Sequence, residues 1–409
     1  NEAWEGSREE IVTKMRLPQH LWWEIPVQPP YKRCRYFFEL QAGAERVFYF
    51  EDGFHSPEDV KNGQLGQCFT FPWMNSVDIN VTPKWVRETV WYQIFPERFC
   101  NGNKENDPDW VKPWGYHTVS NLDFYGGDLD GIRQKLPYLQ ELGITGLYLT
   151  PVFESPSSHK YDTTDYRKID PGFGDEKTMK LLVKEAHDRG IRVMLDGVFN
   201  HCGSNFLPWR DVMEKGPKSP YYDWFMINRW PCREQEGSTR DGRYYSFAFA
   251  ERMPKLNTSE KKVRDYFLDT VRYWIETFDI DGLRLDVANE ISHLFCRELR
   301  QMTKQLKPDF YLLGEIWHDA MPWLGGDEFD AVMNYPFAAA IREFWYQPEK
   351  TKSDLEEAIH ENLVRYMRQT TEVLFNLMDS HDTDRLIHQT GGNQDLFFQQ
   401  LAMLFTMPG

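Results

Sequence analysis

Strand-like and helix-like segments alternate from Thr89 to Asp379, and the first 82 residues carry short β-type runs broken by Pro, Gly and Asn. One connection, Asn200 to Met253, far exceeds the roughly 2–6 residues of an ordinary βα loop. These three observations predict an α/β protein. It has a parallel (β/α)8 TIM barrel over residues 83–409, incomplete near its eighth strand, with a small inserted subdomain at about 200–257. An antiparallel β-sandwich precedes it over residues 1–82.

The elements follow in order. Arg35–Leu40, Arg46–Phe50, Cys68–Phe71 and Ser76–Val81 read as strands of the sandwich, with Pro83 at the boundary. Thr89–Pro96 opens the barrel. Leu129–Leu142 is helix-like and ends at Gly143, and Ile144–Pro151 is the next strand. Glu176–Arg189 is a helix closed by Gly190, as helices often are. Ile191–Phe199 is the third strand. Glu260–Phe278 is a helix with cap candidates in Asn257–Ser259. Asp281–Ala288, Phe310–Trp317, Ala331–Pro336 and Val373–Asp379 complete seven strands. The chain stops at Leu401–Gly409, near where an eighth should begin, so a partial chain is expected; seven strands alone would leave edges open.

Composition narrows the class. A chain of 409 residues, 41% of them apolar, can build a full core and exceeds one ordinary domain. No apolar run reaches the roughly 20 residues of a membrane span. The start, Asn1–Glu10, is polar and acidic and shows no signal peptide. A formal charge of −16 argues against nucleic acid and against anionic membrane as partners. Six scattered cysteines without CxxC spacing favour a reduced, cytoplasmic chain over a disulfide framework. No phosphate-binding loop, HExxH or GxSxG motif occurs. Aromatics at 15% suit the apolar faces of sugars, and suit large cores equally well.

Three segments each deliver an acid at the end of a β-rich run: Gly282–Glu290 (GLRLDVANE), Gly314–His318 (GEIWH) and Ser380–Arg385 (SHDTDR). The acids are Asp286, Glu315 and Asp382, separated by 29 and 67 residues along the chain. Carboxyl ends of parallel strands converge on one pocket. Cleavage of a glycosidic bond needs such a pair, a carboxylate on one side and a carboxylic acid on the other. Arg284 and Asp286 are two apart on a strand and point to one face, with Leu283, Leu285 and Val287 on the other. A neighbouring guanidinium favours the ionised form of Asp286. Glu315 must begin protonated, and burial beside other carboxylates is expected to raise its pKa. Taken singly, each acid also reads as a structural ion pair or a helix cap; the trio is what points to chemistry.

These segments closely resemble the conserved regions of the α-amylase superfamily, as does Asp196–His201 (DGVFNH). Val287–Glu290 (VANE) and Met253–Asn257 (MPKLN) are similar to the branch of cyclomaltodextrinases, neopullulanases and maltogenic amylases. The first 82 residues resemble that branch's N-terminal starch-binding-type domain, shortened. The resemblance implies a retaining α-glucan hydrolase acting on cyclodextrins, pullulan or malto-oligosaccharides through a covalent glycosyl-enzyme. Its targets would be α-1,4 bonds, with α-1,6 bonds as a further target. It implies that Asp286 is the nucleophile, Glu315 the general acid/base and Asp382 the transition-state stabiliser. It implies sugar contacts at Tyr161, His201, Arg284, His381, Lys255, Glu290, Trp317 and Phe247. Asp196 would support Arg284 or His201. A lone histidine is more often structural, and Phe247 reads equally as core.

The resemblance also implies Ca2+ held by Asn101, Asn103, Asn106, Asp107, Gly126 and Asp128. Relatives often carry Asp where Asn103 stands, and an Asn/Asp-rich turn reads the same without a metal. Relatives dimerise with one subunit's N-terminal domain narrowing its neighbour's site, which implies a homodimer. Two alternatives stay open. One is an enzyme that predominantly transglycosylates through the same intermediate; the other is a non-catalytic glucan-binding relative, which typically lacks one of the three acids.

Overall fold

In the computed structural model, residues 7–29, 31–61, 66–76, 79–115, 119–233 and 238–409 are described. The chain divides into two compact units, Asn1–Asn80 and Val81–Gly409. In the first unit, β1 (Thr13–Arg16) pairs with β2 (Leu21–Glu24). Strand β3 (Cys34–Tyr36) pairs with a strand near the unit's end, and β4 (Phe38–Ala42), β5 (Glu45–Phe50) and β6 (Gly53–His55) form a meander. Helix α1 (Pro57–Lys61) precedes that last strand, β7 (Phe69–Phe71). All pairings are antiparallel, and rings stack between strands, Phe38 on Tyr49 at 6.3 Å. Strands β1 and β2 escape the sequence reading because they are short and mostly exposed, and β6 because it is only three residues long. The expected strand Ser76–Val81 falls partly outside the described residues, and its described remainder is not extended into a ladder.

The second unit is built on six parallel strands. They are β8 (Trp91–Ile94), β9 (Gly146–Leu149), β12 (Arg192–Gly197), β13 (Gly282–Leu285), β14 (Tyr311–Gly314) and β15 (Ala331–Val332), neighbours in that order. Between β9 and β12 lies an antiparallel hairpin, β10 (Phe153–Glu154) and β11 (Asp165–Ile169). Helices α2 (Leu129–Glu141), α3 (Glu176–His187), α4 (Leu207–Lys215), α5 (Lys261–Phe278), α6 (His293–Leu306), α7 (Tyr335–Tyr346), α8 (Lys352–Val364) and α9 (Arg368–Thr371) fill the connections. Asp128 and Asp175 cap α2 and α3 by accepting the Gly131 and Thr178 N–H groups. Helix α5 corrects the expected cap. Glu260 takes that place, while the Asn257 carboxamide oxygen turns to the Ser259 N–H at 3.3 Å.

Val373–Asp379 is a second correction. It contributes one parallel bridge, Met333 to Phe375, rather than a seventh strand. The Val373 and Leu374 N–H groups already bond the Thr370 and Thr371 carbonyls in a turn, which leaves Phe375 to reach the Val332 carbonyl at 3.1 Å. The long connection after β12 holds α4 and closes through four isolated antiparallel bridges, among them His201 to Lys255. Trp209 is fully buried there against Phe225 (4.8 Å) and Tyr244 (5.1 Å). Among the described residues, no helix is long and apolar enough to cross a membrane.

Register decides which side chains meet. Met194 stands beside Gly282 and Asp196 beside Arg284, while Tyr148 is level with Met194 and Gln93 with Tyr148. With a side-chain period of two, these residues share the concave face of the sheet. Leu147, Val193, Leu195, Leu283 and Leu285 face the helices and are fully buried. The bottom of the concave face is filled by Trp91 and Tyr311, stacked at 6.0 Å. Gly146 makes room for that layer: a Cβ there would lie 2.5 Å from Thr89 Cγ2 and 2.7 Å from the Trp91 ring. Gly146→Ala should therefore lower the unfolding free energy by about 1–3 kcal/mol, the usual cost of overpacking, read from the urea midpoint.

Candidate active site

Arg284 is the hub. Its guanidinium is fully buried, an arrangement that demands partners. Nη1 donates to both oxygens of Asp196 at 3.0 Å and to Asp286 Oδ1 at 2.8 Å. Nη2 lies 2.9 Å from Glu315 Oε2, an ion pair not aligned as a hydrogen bond. Asp196 thus supports Arg284 rather than His201. Its Oδ2 also accepts from the Tyr148 and Tyr161 hydroxyls, at 2.6 and 2.8 Å. Three carboxyls therefore surround one cation. Burial pushes Asp286 well above the usual carboxylate range; Arg284 opposes this, and Asp196 and Glu315 add to it. The guanidinium favours the ionised form as the sequence suggests, and burial outweighs it. Asp196 is pushed up by burial too, against Arg284 and its two hydroxyl partners.

Asp286 and Glu315 face each other because the ladder puts them there. Leu285 pairs with Gly314, and the two acids are the next residues on adjacent parallel strands. Such strands lie about 4.8 Å apart. The Glu315 N–H completes the ladder to the Leu285 carbonyl at 3.0 Å. Immediately after Asp286 the backbone turns into the left-handed region at Val287 (φ 46°), which is rare for a β-branched residue. That turn aims the Val287 N–H at Glu315 Oε2, 2.9 Å away. Glu315 Oε1 accepts from the Trp317 indole at 3.1 Å, and the Trp317 ring stacks on Tyr335 at 3.8 Å.

His381 joins the third acid to this group. The Gln93 amide donates to His381 Nδ1 (2.6 Å), so Nε2 carries the hydrogen and meets the Tyr161 oxygen at 2.7 Å. The Tyr161 hydroxyl then points to Asp196. The Tyr161 and His381 rings lie nearly parallel at 5.2 Å. Asp382 Oδ2 is 3.2 Å from His381 Nε2, with nearly half of its side chain open to the cleft. Partial burial and the nearby Glu315 raise Asp382 to about 6. The trio thus gathers at the carboxyl ends of the strands.

Around the rim, His201 is buried, stacks on Phe247 at 4.7 Å and leaves Nε2 without a protein partner. Phe247 is partly exposed, so it is not a core residue. Lys255 Nζ contacts Glu290 Oε2 at 2.7 Å and also the Asn200 carboxamide oxygen. This pair lines a cavity of about 390 Å³ with Asn257, Asn289 and His293. Gln93, Tyr148, Asn200 and Tyr335 were not singled out from the sequence. Each sits in or beside an apolar run, and its partner lies far along the chain. Asn200 alone lies inside a segment quoted from the sequence, Asp196–His201 (DGVFNH), which could have pointed to it.

The Asn101–Asp107 loop gathers oxygen atoms, and the structure divides them. Asp128 spends both oxygens on the Gly102, Asn103 and Gly131 N–H groups as the cap of α2. Asn103 Oδ1 accepts the Glu105 N–H. Asn101 donates to both oxygens of Asp107 (2.7 and 2.9 Å), while Asn101 Oδ1 and Asn106 Oδ1 are buried without a partner. Gly126 (φ 73°) packs so close that a Cβ would lie 2.4 Å from Asn101 and Asp107. Among the described residues, no three His, Cys, Asp or Glu side chains cluster as metal ligands. Any ion here would rely on amide and carbonyl oxygens with the single Asp107 carboxylate, a donor set that hard cations accept.

Residues 93–409 match the profile of the alpha amylase catalytic domain, and residues 1–75 that of the alpha amylase N-terminal ig-like domain. The chain is 52% identical over 386 residues to a cyclomaltodextrinase of Geobacillus thermopakistaniensis (strain MAS1), covering 94% of this chain and 64% of that protein. It is 43% identical over 406 residues to an intracellular maltogenic amylase of Bacillus subtilis (strain 168), covering 99% and 68%. A solved cyclomaltodextrinase superposes with a TM-score of 0.89 at 44% identity, over 97% of this chain and 67% of that one. The chain thus spans about two thirds of the length of these relatives.

Burial holds both imidazoles neutral, His201 and His381 each near 3 against an ordinary 6.5. In the unfolded chain they take up protons as pH falls below about 6.5, and in the fold they do not until about 3. Stability from this source is complete above pH 6.5 and is lost on acidification through that window. Urea midpoints measured from pH 7 to 4 should fall less steeply in His201→Gln than in the parent.

Proposed function

The chain belongs to the α-amylase family, and from that premise we propose that it carries the active site of a retaining hydrolase of α-1,4-glucosidic bonds. Cyclodextrins and malto-oligosaccharides are the proposed substrates, supported by the names of its relatives. The observation that carries the reading is the facing of Asp286 and Glu315 on adjacent strand ends around Arg284. In the reactive state the proton is on Glu315 and the charge on Asp286. Asp286 bonds to Arg284 through Oδ1, and Oδ2 attacks the anomeric carbon. The bond to the leaving oxygen breaks as Glu315 gives that oxygen its proton. Water then loses a proton to Glu315 and attacks the same carbon, releasing Asp286. Asp382 and the neutral His201 and His381 hold sugar hydroxyls as the ring flattens. Trp317, Phe247 and the Lys255–Glu290 pair form the acceptor edge.

Asp286→Asn should lower kcat on a cyclodextrin by on the order of 10⁴-fold or more, since the attacking carboxylate is gone. Binding of the same ring, read by calorimetry, should persist. Parent-like turnover in this variant removes the assignment, and an inverted product anomer removes the retaining course.

The same reading includes calcium at the Asn101–Asp107 loop. The support is the pair of buried, unpartnered oxygens Asn101 Oδ1 and Asn106 Oδ1 beside Asp107, with Gly126 packed against Asn101 and Asp107. Asn103 and Asp128, whose oxygens accept backbone N–H groups, would shape the loop from outside the ligand set. When bound, the ion would tie the β8 loop to the start of α2. Added calcium should raise Tm with concentration, and a chelator should lower it, in the manner of any ligand selective for the fold. Asn101→Ala should erase that dependence. A cytoplasmic homodimer belongs to this proposal as well, the compartment supported by the word intracellular in the B. subtilis relative's name.

A further inference from the structure

We propose that Lys160 is a positioning residue for Tyr161, acting through a buried ion pair with Asp170. The inference deepens the active-site reading above and rests on it. Lys160 is 4% exposed, which is rare for a lysine. Its backbone is left-handed (φ 65°), a conformation that favours glycine. A glycine would relieve the strain and spare the burial of an ammonium, so the side chain must contribute something glycine lacks. Its Nζ lies 2.8 Å from Asp170 Oδ2 and donates to the Ser155 carbonyl at 3.2 Å. The rings of Phe173 and Phe124 stand 5.1 and 5.7 Å from the ammonium. Asp170 in turn accepts the Ser155 and Gly172 N–H groups.

These contacts tie the two strands of the β10–β11 hairpin together at the base of the loop that carries Tyr161. The Lys160 backbone is held at both ends: its N–H by Ser157 Oγ (3.0 Å) and its carbonyl by Thr163 Oγ1 (3.0 Å). Ser155 and Ser157 both hydrogen-bond to Asp162, on the far side of Tyr161. Tyr161 is therefore bracketed by fixed residues, and its hydroxyl is the link between Asp196 and His381. A displaced reacting partner of about 1 Å is enough to cost on the order of 100-fold in rate.

The test compares Lys160→Gly, Lys160→Arg, Tyr161→Phe and the Lys160→Gly/Tyr161→Phe double variant, in the full chain. Rates on a cyclodextrin are taken per folded molecule, with the folded fraction read by circular dichroism. Lys160→Gly is expected to lower kcat about 10- to 100-fold with KM changed less than about threefold. Lys160→Arg should recover part of the loss. In the Tyr161→Phe background, Lys160→Gly should add no further loss, because both act through one hydroxyl. Losses that multiply, or a fall in Tm alone with kcat per folded molecule unchanged, overturn the inference. A second readout is independent of turnover: the ¹⁵N resonance of His381 Nε2, which meets Tyr161. It should move in Lys160→Gly as it does in Tyr161→Phe, and an unmoved signal overturns the inference. A parent protein inert toward cyclodextrin overturns the hydrolase reading instead, and the resonance still decides the role of Lys160.

Discussion

One buried guanidinium organises the second unit's functional end. Arg284 has no access to water, and its charge is tolerable only because carboxylates on neighbouring strands reach it. The compensation is lopsided: three carboxyls, Asp196, Asp286 and Glu315, face one cation. Full ionisation would leave two negative charges uncompensated in a dry pocket. Burial raises Asp196, Asp286 and Asp382, and neighbouring carboxylates add to the rise at Asp286 and Asp382. Acids here keep protons that free carboxyls would have lost, and the protons belong to the group rather than to single residues. A reaction needing one carboxylate and one carboxylic acid side by side finds both forms in such a group.

Much of this was legible because it is local. The βα alternation, the glycines after α2 and α3, and the segments around Asp286, Glu315 and Asp382 each announce themselves within about ten residues of sequence. What stayed hidden is long-range. Gln93 bonds His381 across 288 positions, and Tyr148 bonds Asp196 across 48. In sequence both are single polar groups inside apolar strands, and such residues read as core. Val373–Asp379 misled for the complementary reason. Its composition is that of a strand, but the turn after α9 takes two of its N–H groups, and composition does not record which donors are already engaged. Asp286 shows the same limit in electrostatics. Adjacency to Arg284 is visible in the sequence; the burial that outweighs it is a property of the packed barrel.

Backbone strain follows the same geography. Among the described residues six non-glycines have positive φ: Lys32 lies in the first unit and Asp279 ends α5, while Val287, Lys160, Ala248 and Phe249 lie near the site. Val287 directs an N–H at Glu315, Lys160 precedes Tyr161, and the other two follow Phe247, which stacks on His201. Each of these last four adjoins a side chain that faces the cleft. Strain of this kind persists only where surrounding bonds over-determine it, and around Lys160 those bonds are explicit.

The proposed retaining course then follows from the sheet itself. Adjacent parallel strands sit about 4.8 Å apart, and equal register places two carboxyls near the roughly 5–5.5 Å at which one can attack the carbon while the other serves the leaving oxygen. Moving either acid one strand further would double the backbone spacing to about 9.6 Å, at the far edge of the range that admits a water for inversion. Moving it one residue along its own strand would turn the side chain to the helix face and away from Arg284. The Leu285–Gly314 pairing thus fixes both partners and distance at once. Stereochemistry in this reading is decided by which strand hydrogen-bonds to which, before any sugar arrives.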